Sequence, residues 1–277
     1  MESSYRALYQ GLQLFLEARQ ERKDLLLLQR KPRVDTTLTL QGDYASQGNT
    51  EFNDLVLRVK QARDLFLIIG PPGTGKPSFG MVNVLKEQLM EEGTSVLLLS
   101  FTNRAVDEMC SKLVGEGIDF VRLGSELGCH EAYRSHLLGK RSETCRDGRE
   151  IRQMIERCRV FCGTTTAFNS QIALLSIKHF DLAIVDEASQ ILEPQIVGLF
   201  SAKNARTGEH AIAKFVLIGD EKQLPAVVQQ QESESVVQEP NLRAIHLTDC
   251  RLSLFERLIK AYRSEGVNNE YSYMLTR

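Results

Sequence analysis

The stretch Gly70-Pro71-Pro72-Gly73-Thr74-Gly75-Lys76-Pro77-Ser78 carries the clearest chemistry in the chain. It follows an apolar run, Leu65 to Ile69, and precedes a helix-like pattern from Met81 to Leu89. Strand, glycine-rich turn and helix in that order make a phosphate cradle. Glycines let the backbone curl so that successive N–H groups face an anion. The helix start adds its positive dipole end. Lys76 supplies a point charge for β- and γ-phosphates, so nucleotide binding is the first expectation, with Gly70 to Ser78 as the contact stretch.

One position departs from the pattern. A Ser or Thr after the lysine would ligate Mg²⁺, and Pro77 stands there. Proline has neither hydroxyl nor N–H, although it fits the first turn of a helix. Ser78 is the next hydroxyl, but one helical step turns a side chain by roughly 100°.

A second signal is Phe180-Asp181-Leu182-Ala183-Ile184-Val185-Asp186-Glu187-Ala188-Ser189-Gln190. An apolar strand there ends in two adjacent carboxylates. Asp186 can hold Mg²⁺, and Glu187 can act as general base toward water. A third is Phe215 to Ile218 followed by Gly219-Asp220-Glu221-Lys222-Gln223-Leu224-Pro225, where the Gln223 amide could reach a γ-phosphate. Two further strand ends, Ser100 to Asp107 and Cys162 to Thr166, are rich in hydroxyl and amide groups. Thr102, Asn103, Thr164 and Thr165 suit backbone contacts to a single strand of nucleic acid, although taken alone both segments read first as simple helix N-caps.

These groups need a frame. The apolar strand candidates are Leu65–Ile69, Val96–Phe101, Phe120–Leu123, Val160–Cys162, Leu182–Val185 and Phe215–Ile218. Helices are expected at Phe79–Glu91, Ala105–Val114, Arg149–Arg157 and Ile191–Phe200. Short apolar strands alternating with helices predict a parallel sheet with right-handed crossovers. Ligands bind beyond the carboxyl ends of such strands. Upstream, residues 5–30 carry the spacing of one long helix or two short ones, which Pro32 ends, and residues 34–50 read as a short extended piece and a linker. From Glu51 a helical pattern leads to the first strand, and residues 228–239 read as an exposed loop.

Composition is that of an ordinary globular chain of 277 residues. No apolar run approaches the roughly 20 residues that span a membrane, and the N-terminus lacks a secretory signal pattern. The six scattered cysteines read as reduced thiols, which predicts a cytosolic or nuclear setting without membrane partners. The formal net charge of −2 does not advertise nucleic-acid binding. Residues 134–160 nonetheless hold eight basic against four acidic side chains, either a solvated face or a phosphate-contacting one.

Taken in order, the five segments resemble the first motor domain of a superfamily 1 helicase, in the subgroup of the nonsense-mediated-decay RNA helicase and the Okazaki-fragment nuclease-helicase. The resemblance covers about residues 50 to 265. It rests on Gly70 to Lys76, Thr102-Asn103-Arg104-Ala105-Val106-Asp107, Gly163-Thr164-Thr165, Asp186-Glu187-Ala188-Ser189-Gln190 and Gly219 to Pro225. It implies an α/β fold, a RecA-like P-loop NTPase with a parallel sheet flanked by helices, with an N-terminal helical segment added. The implied division is a stalk-like residues 1–45 and a motor domain over 46–277.

The resemblance further implies ATP and Mg²⁺ as ligands and single-stranded DNA or RNA across the top of the sheet. Lys76 would contact phosphate, Asp186 with Ser78 would serve the metal, Glu187 would activate water, and Gln223 would sense the γ-phosphate. Thr102, Asn103, Thr164 and Thr165 would lie along the strand. Gln41, Gln47 and Gln61 are candidates for the adenine contact. Ser253 to Leu258 resembles the helix before a second RecA-like domain, which the family places after Arg277. Pro77 and dependence on that second domain imply weak or inactive hydrolysis and unwinding in this chain, and leave a low-turnover nucleotide switch or adaptor as the alternative. A nucleotide kinase would need a substrate lid and an acceptor site, and neither is legible.

Overall fold

A computed structural model describes residues 2–45, 50–70, 76–220, 231–263, 266 and 269–275, with side chains at all but 2–4, 76–79 and 232. Its helices are α1 (Glu2–Leu16), α2 (Gln20–Leu26), α3 (Glu51–Gln61), α4 (Lys76–Met90), α5 (Asn103–Gly115), α6 (Leu138–Ser142), α7 (Gly148–Arg157), α8 (Thr165–Ser170), α9 (Leu174–Ile177), α10 (Glu193–Ser201), α11 (Glu232–Ser235), α12 (Pro240–Ala244) and α13 (Leu254–Tyr262). The strands are β1 (Leu65–Ile69), β2 (Val96–Ser100), β3 (Phe120–Arg122), β4 (Val160–Thr164), β5 (Phe180–Val185), β6 (Ile212–Gly219) and β7 (Ser272–Met274). They form one seven-stranded sheet in the order β3-β4-β2-β5-β6-β1-β7, and every pair in it is parallel. This is the RecA-like α/β architecture.

The strands are mostly apolar because helices cover both faces of the sheet. Side chains alternate between two cores, as a period of two requires. Leu65, Leu67 and Ile69 enter one core with α10 and α13. Phe66 and Ile68 enter the other with α3, α4 and α5. The N-terminal helices belong to the first layer. Leu25 and Leu26 of α2 are buried in that core, and α1 lies on α10 with Gly11 against Gly198.

Several expectations shift at their edges. The residues 5–30 pattern is two helices, broken between Leu16 and Gln20. The extended piece after Pro32 is a single antiparallel bridge, Val34 with Ala62. Strand β6 starts earlier than its apolar run, at Ile212, because buried Lys214 interrupts the pattern and donates to the Val59 carbonyl at 2.9 Å. The helix expected from Ile191 begins at Glu193, after a 3₁₀ turn over Ala188–Gln190. Of the expected loop 228–239, the described part is not wholly exposed: Glu232–Ser235 is a helical turn and Val237 is buried. All six cysteines are free. No described helix is long and apolar enough to cross a membrane.

Candidate active site

Because the sheet is parallel, every strand delivers its carboxyl end to one edge. Ile69 pairs with Gly219, and Val185 pairs with Leu217, so Gly70 and Asp186 flank the end of β6 on its two sides, offset by two residues, roughly 7 Å, along the strand. Gly70 donates to the Gly219 carbonyl at 2.9 Å. Two strand spacings separate β1 from β5, about 10 Å. Gly70, where the glycine-rich sequence begins, therefore stands at the same edge of the sheet as the acidic pair.

Lys76, Pro77 and Ser78 form the first turn of α4, where a proline is tolerated. Pro71, Pro72, Gly73, Thr74, Gly75 and Gln223 lie outside the described residues, as does Gln47. Of the other adenine candidates, Gln61 donates its amide to the Leu38 carbonyl at 3.1 Å. The Gln41 backbone N–H donates to Glu87 at 2.9 Å.

Asp186 continues the ladder, donating its N–H to the Leu99 carbonyl at 2.8 Å. Burial raises its carboxyl above the ordinary aspartate range, and the neighbouring Glu187 charge adds to that. One carboxylate oxygen accepts the Glu187 N–H at 2.9 Å. A half-buried carboxylate disfavoured in its charged form is a suitable oxygen donor for a hard divalent cation, so Asp186 fits Mg²⁺. Pro77 offers that ion nothing.

Glu187 adopts a left-handed backbone, φ 53° and ψ 32°, an arrangement that costs a non-glycine residue about 1 kcal/mol. The turn points its carboxylate at β2. Ser100 Oγ donates to Glu187 Oε2 at 2.8 Å, and Thr102 Oγ1 donates to the same oxygen at 3.1 Å. Ser100 is fully buried. From sequence, Thr102 is a strand-contact or N-cap residue and Ser100 a hydroxyl of the same strand end, with no link from either to Glu187. The signal was present, since both hydroxyls sit where β2 ends, but it required knowing that β2 lies beside β5.

The N-cap reading of the two hydroxyl-rich strand ends holds. Thr102 Oγ1 accepts from Ala105 N at 3.2 Å, and Thr164 Oγ1 accepts from Ala167 N at 3.1 Å. Asn103 opens α5, and buried Arg122 reaches its amide oxygen at 3.5 Å. Thr165 opens α8 and is buried. All four residues lie on the carboxyl edge, because β2 and β4 pair in register through Ser100 and Thr164. Within the basic stretch, Arg141 pairs with Asp119 at 2.9 Å and Arg152 with Glu156 at 3.2 Å. Arg159 donates to the Thr94 carbonyl at 2.8 Å. Much of that charge is thus engaged within the protein.

The end of β1 at Gly70, an acidic pair ending the non-adjacent parallel strand β5, and hydroxyl caps after β2 and β4 thus meet at one edge of the sheet. Residues 47–145 and 139–231 match the family described as AAA domain. The chain belongs to that family, as the first motor domain of a superfamily 1 helicase. It is 32% identical over 260 residues to the DNA replication ATP-dependent helicase/nuclease JHS1 of Arabidopsis thaliana, covering 91% of this chain and 17% of that protein. It is 34% identical over 204 residues to the DNA replication ATP-dependent helicase/nuclease DNA2 of Homo sapiens, covering 73% of this chain and 17% of that one. The chain thus spans about a sixth of the length of these relatives. Among solved structures, the UvsW helicase of bacteriophage T4 superposes with TM-score 0.42 at 15% identity, covering 66% of this chain and 57% of that one.

Proposed function

We propose that this domain binds ATP at the carboxyl edge and couples its hydrolysis to single-stranded DNA, as one lobe of a helicase. The observation that carries the reading is the flanking of β6 by Gly70 and Asp186, with Glu187 tied to the strand end that opens α5. The polymer is inferred as DNA because the relatives are named for DNA replication, a naming that also favours an intracellular, nuclear setting.

In this mechanism Lys76 and the backbone of residues 70–75 hold the phosphates. Asp186 holds Mg²⁺, which when bound neutralises charge on the transferred phosphoryl group. Glu187 takes the proton of the attacking water on a carboxylate oxygen. Gln223 contacts the γ-phosphate side. Thr102, Asn103, Thr164 and Thr165 position the strand. Ser78 is the remaining hydroxyl near the metal. Pro77 removes one donor, so hydrolysis is slow in this chain. Arginines from a second RecA-like lobe supply about 10³–10⁵ in related NTPases, and unwinding needs that lobe to move against this one. We also propose that residues 1–45 form an accessory segment riding on the motor core of 46–277.

Pro77 favours one further reading, a nucleotide-dependent switch with little turnover. ATP hydrolysis by this chain and by Pro77→Thr, with and without single-stranded DNA or RNA, separates the two. Stimulation of the Pro77→Thr protein by polymer supports the motor. Tight nucleotide binding without stimulation supports the switch. Absence of nucleotide binding in both proteins removes both readings.

A further inference from the structure

At the opposite edge of the sheet, a cavity of about 220 Å³ lies under α2 and the segment after it, at the amino ends of β1, β5 and β6. Its lining holds Arg22, Arg30, Arg33, Arg63, His179 and His210 together with the carboxylates Glu21, Asp64 and Glu209. Strand β1 has five residues, which puts roughly 17 Å between this edge and the phosphate cradle.

Arg22 is the informative residue. Its side chain reaches under the sheet and is only 2% exposed. One terminal nitrogen donates to the Ile212 and Ala213 carbonyls at 2.9 and 3.2 Å. The other, Nη1, has no hydrogen-bond partner. The guanidinium lies 5.7 and 5.4 Å from the Phe200 and Phe215 ring centres. Among the described residues it pairs with no carboxylate, whereas buried charges are ordinarily paired. Burial draws the pKa of the guanidinium down to about 10.

The nearby carboxylates are committed elsewhere. Asp64 accepts from Arg30 at 2.8 Å and from Arg33 at 3.0 Å. Glu209 is bonded to Arg19. Glu21 sits 3.9 Å from Arg19, 3.8 Å from Arg33 and 3.3 Å from the His210 ring. Arg63 has Asp35 at 3.9 Å. Five arginines thus face four carboxylates, and Arg22 is left over. The side chains of Arg33 and Arg63 are more than half exposed and stand at the rim.

We propose that this cavity binds a free small oxyanion of the phosphate class, held by Arg22 with Arg63 and Arg33, as the missing counter-ion of the buried guanidinium. A tetrahedral oxyanion accepts bidentate bonds from guanidinium groups, the geometry for which arginine is suited. The cavity lies below the ~300–1,000 Å³ of sites that hold larger ligands, which restricts it to a small ion. The site is separate from the nucleotide edge and does not depend on the activity proposed there.

The test uses the full chain carrying Lys76→Met, so that the phosphate cradle does not contribute. Inorganic phosphate is titrated by calorimetry and by thermal shift, against chloride at matched ionic strength. Phosphate is expected to bind and to raise Tm above the chloride control. Arg22→Met, which keeps the apolar stem over Phe200 and Phe215, should weaken binding by about tenfold or more. Arg63→Gln, a rim substitution outside the core, should weaken it as well and decides the matter should Arg22→Met fail to fold. No difference between phosphate and chloride overturns the proposal, as does phosphate binding unchanged by Arg63→Gln.

Discussion

Ser100 Oγ donates a hydrogen bond to Glu187 Oε2 at 2.8 Å, tying the end of β2 to the residue that follows Asp186 at the end of β5. Thr102 shares that oxygen at 3.1 Å while capping α5 through Ala105 N. The two hydroxyls hold the carboxylate toward β2. A phosphate arriving at the start of α5 would compete for the Thr102 hydroxyl and loosen that hold. In the Pro77→Thr chain, Ser100→Ala should raise polymer-independent hydrolysis about twofold to tenfold, the worth of one such bond. Stimulation by single-stranded DNA should shrink in proportion, with DNA affinity by fluorescence anisotropy unchanged. Equal stimulation in both proteins would contradict the coupling.

Glu187→Gln separates chemistry from binding. Loss of the base should lower turnover of the Pro77→Thr chain by about 10²–10⁴. ATP affinity should stay within a few-fold, because the proposed role of Glu187 is toward the water and its carboxylate is held by Ser100 and Thr102. A large loss of affinity would assign the residue to binding.

Asp186→Asn should stabilise the fold while removing function. Burial raises the carboxyl, so the folded state holds the proton more tightly than the unfolded chain. Stability therefore falls as pH rises through the aspartate range, and the cost is in full force at neutral pH. The amide carries no such cost, and denaturant unfolding at pH 7 should show a gain of about 1 kcal/mol. At a pH below the aspartate range the gain should vanish.

Lys214 gives the opposite pH dependence. Burial, with Arg63 and Lys60 nearby, draws its ammonium down to about 8, while Glu91 and Asp181 oppose the shift. The unfolded chain then binds the proton more tightly, so stability rises with pH from about 8 to about 10. The rise should amount to roughly 2 kcal/mol. Lys214→Met should flatten that segment of the stability curve.

Gly219 is a packing constraint at the site. A Cβ there would lie 2.9 Å from two Phe255 ring carbons and 3.1 Å from Ser189 N. Gly219→Ala should cost about 1–3 kcal/mol by overpacking. It should also displace the turn after the acidic pair, measured as lost hydrolysis in the Pro77→Thr chain.

Much of this edge was legible in the sequence, because buried parallel strands read as apolar runs and their polar ends follow directly. Leu65–Ile69 matches β1 residue for residue, and the turn after it announces its chemistry. Strand β7 was missed because Ser272-Tyr273-Met274 is short and edge-paired, with no apolar run to mark it. The early start of β6 was hidden by Lys214, whose ammonium bonds the Val59 carbonyl, a partner far away in sequence. The hold of Ser100 on Glu187 depends on β2 lying beside β5, and strand order is a property of the whole sheet. The unpaired Arg22 is likewise visible only once α2 is seen beneath β6.

The most direct measurement is the calorimetric affinity of ATP for the Pro77→Thr chain, with and without Mg²⁺, beside the same chain carrying Asp186→Asn. One shared site predicts ATP binding strengthened by Mg²⁺, with that strengthening lost in Asp186→Asn. Absence of ATP binding, or a magnesium effect indifferent to Asp186, would contradict a cradle at Gly70 facing the acidic pair.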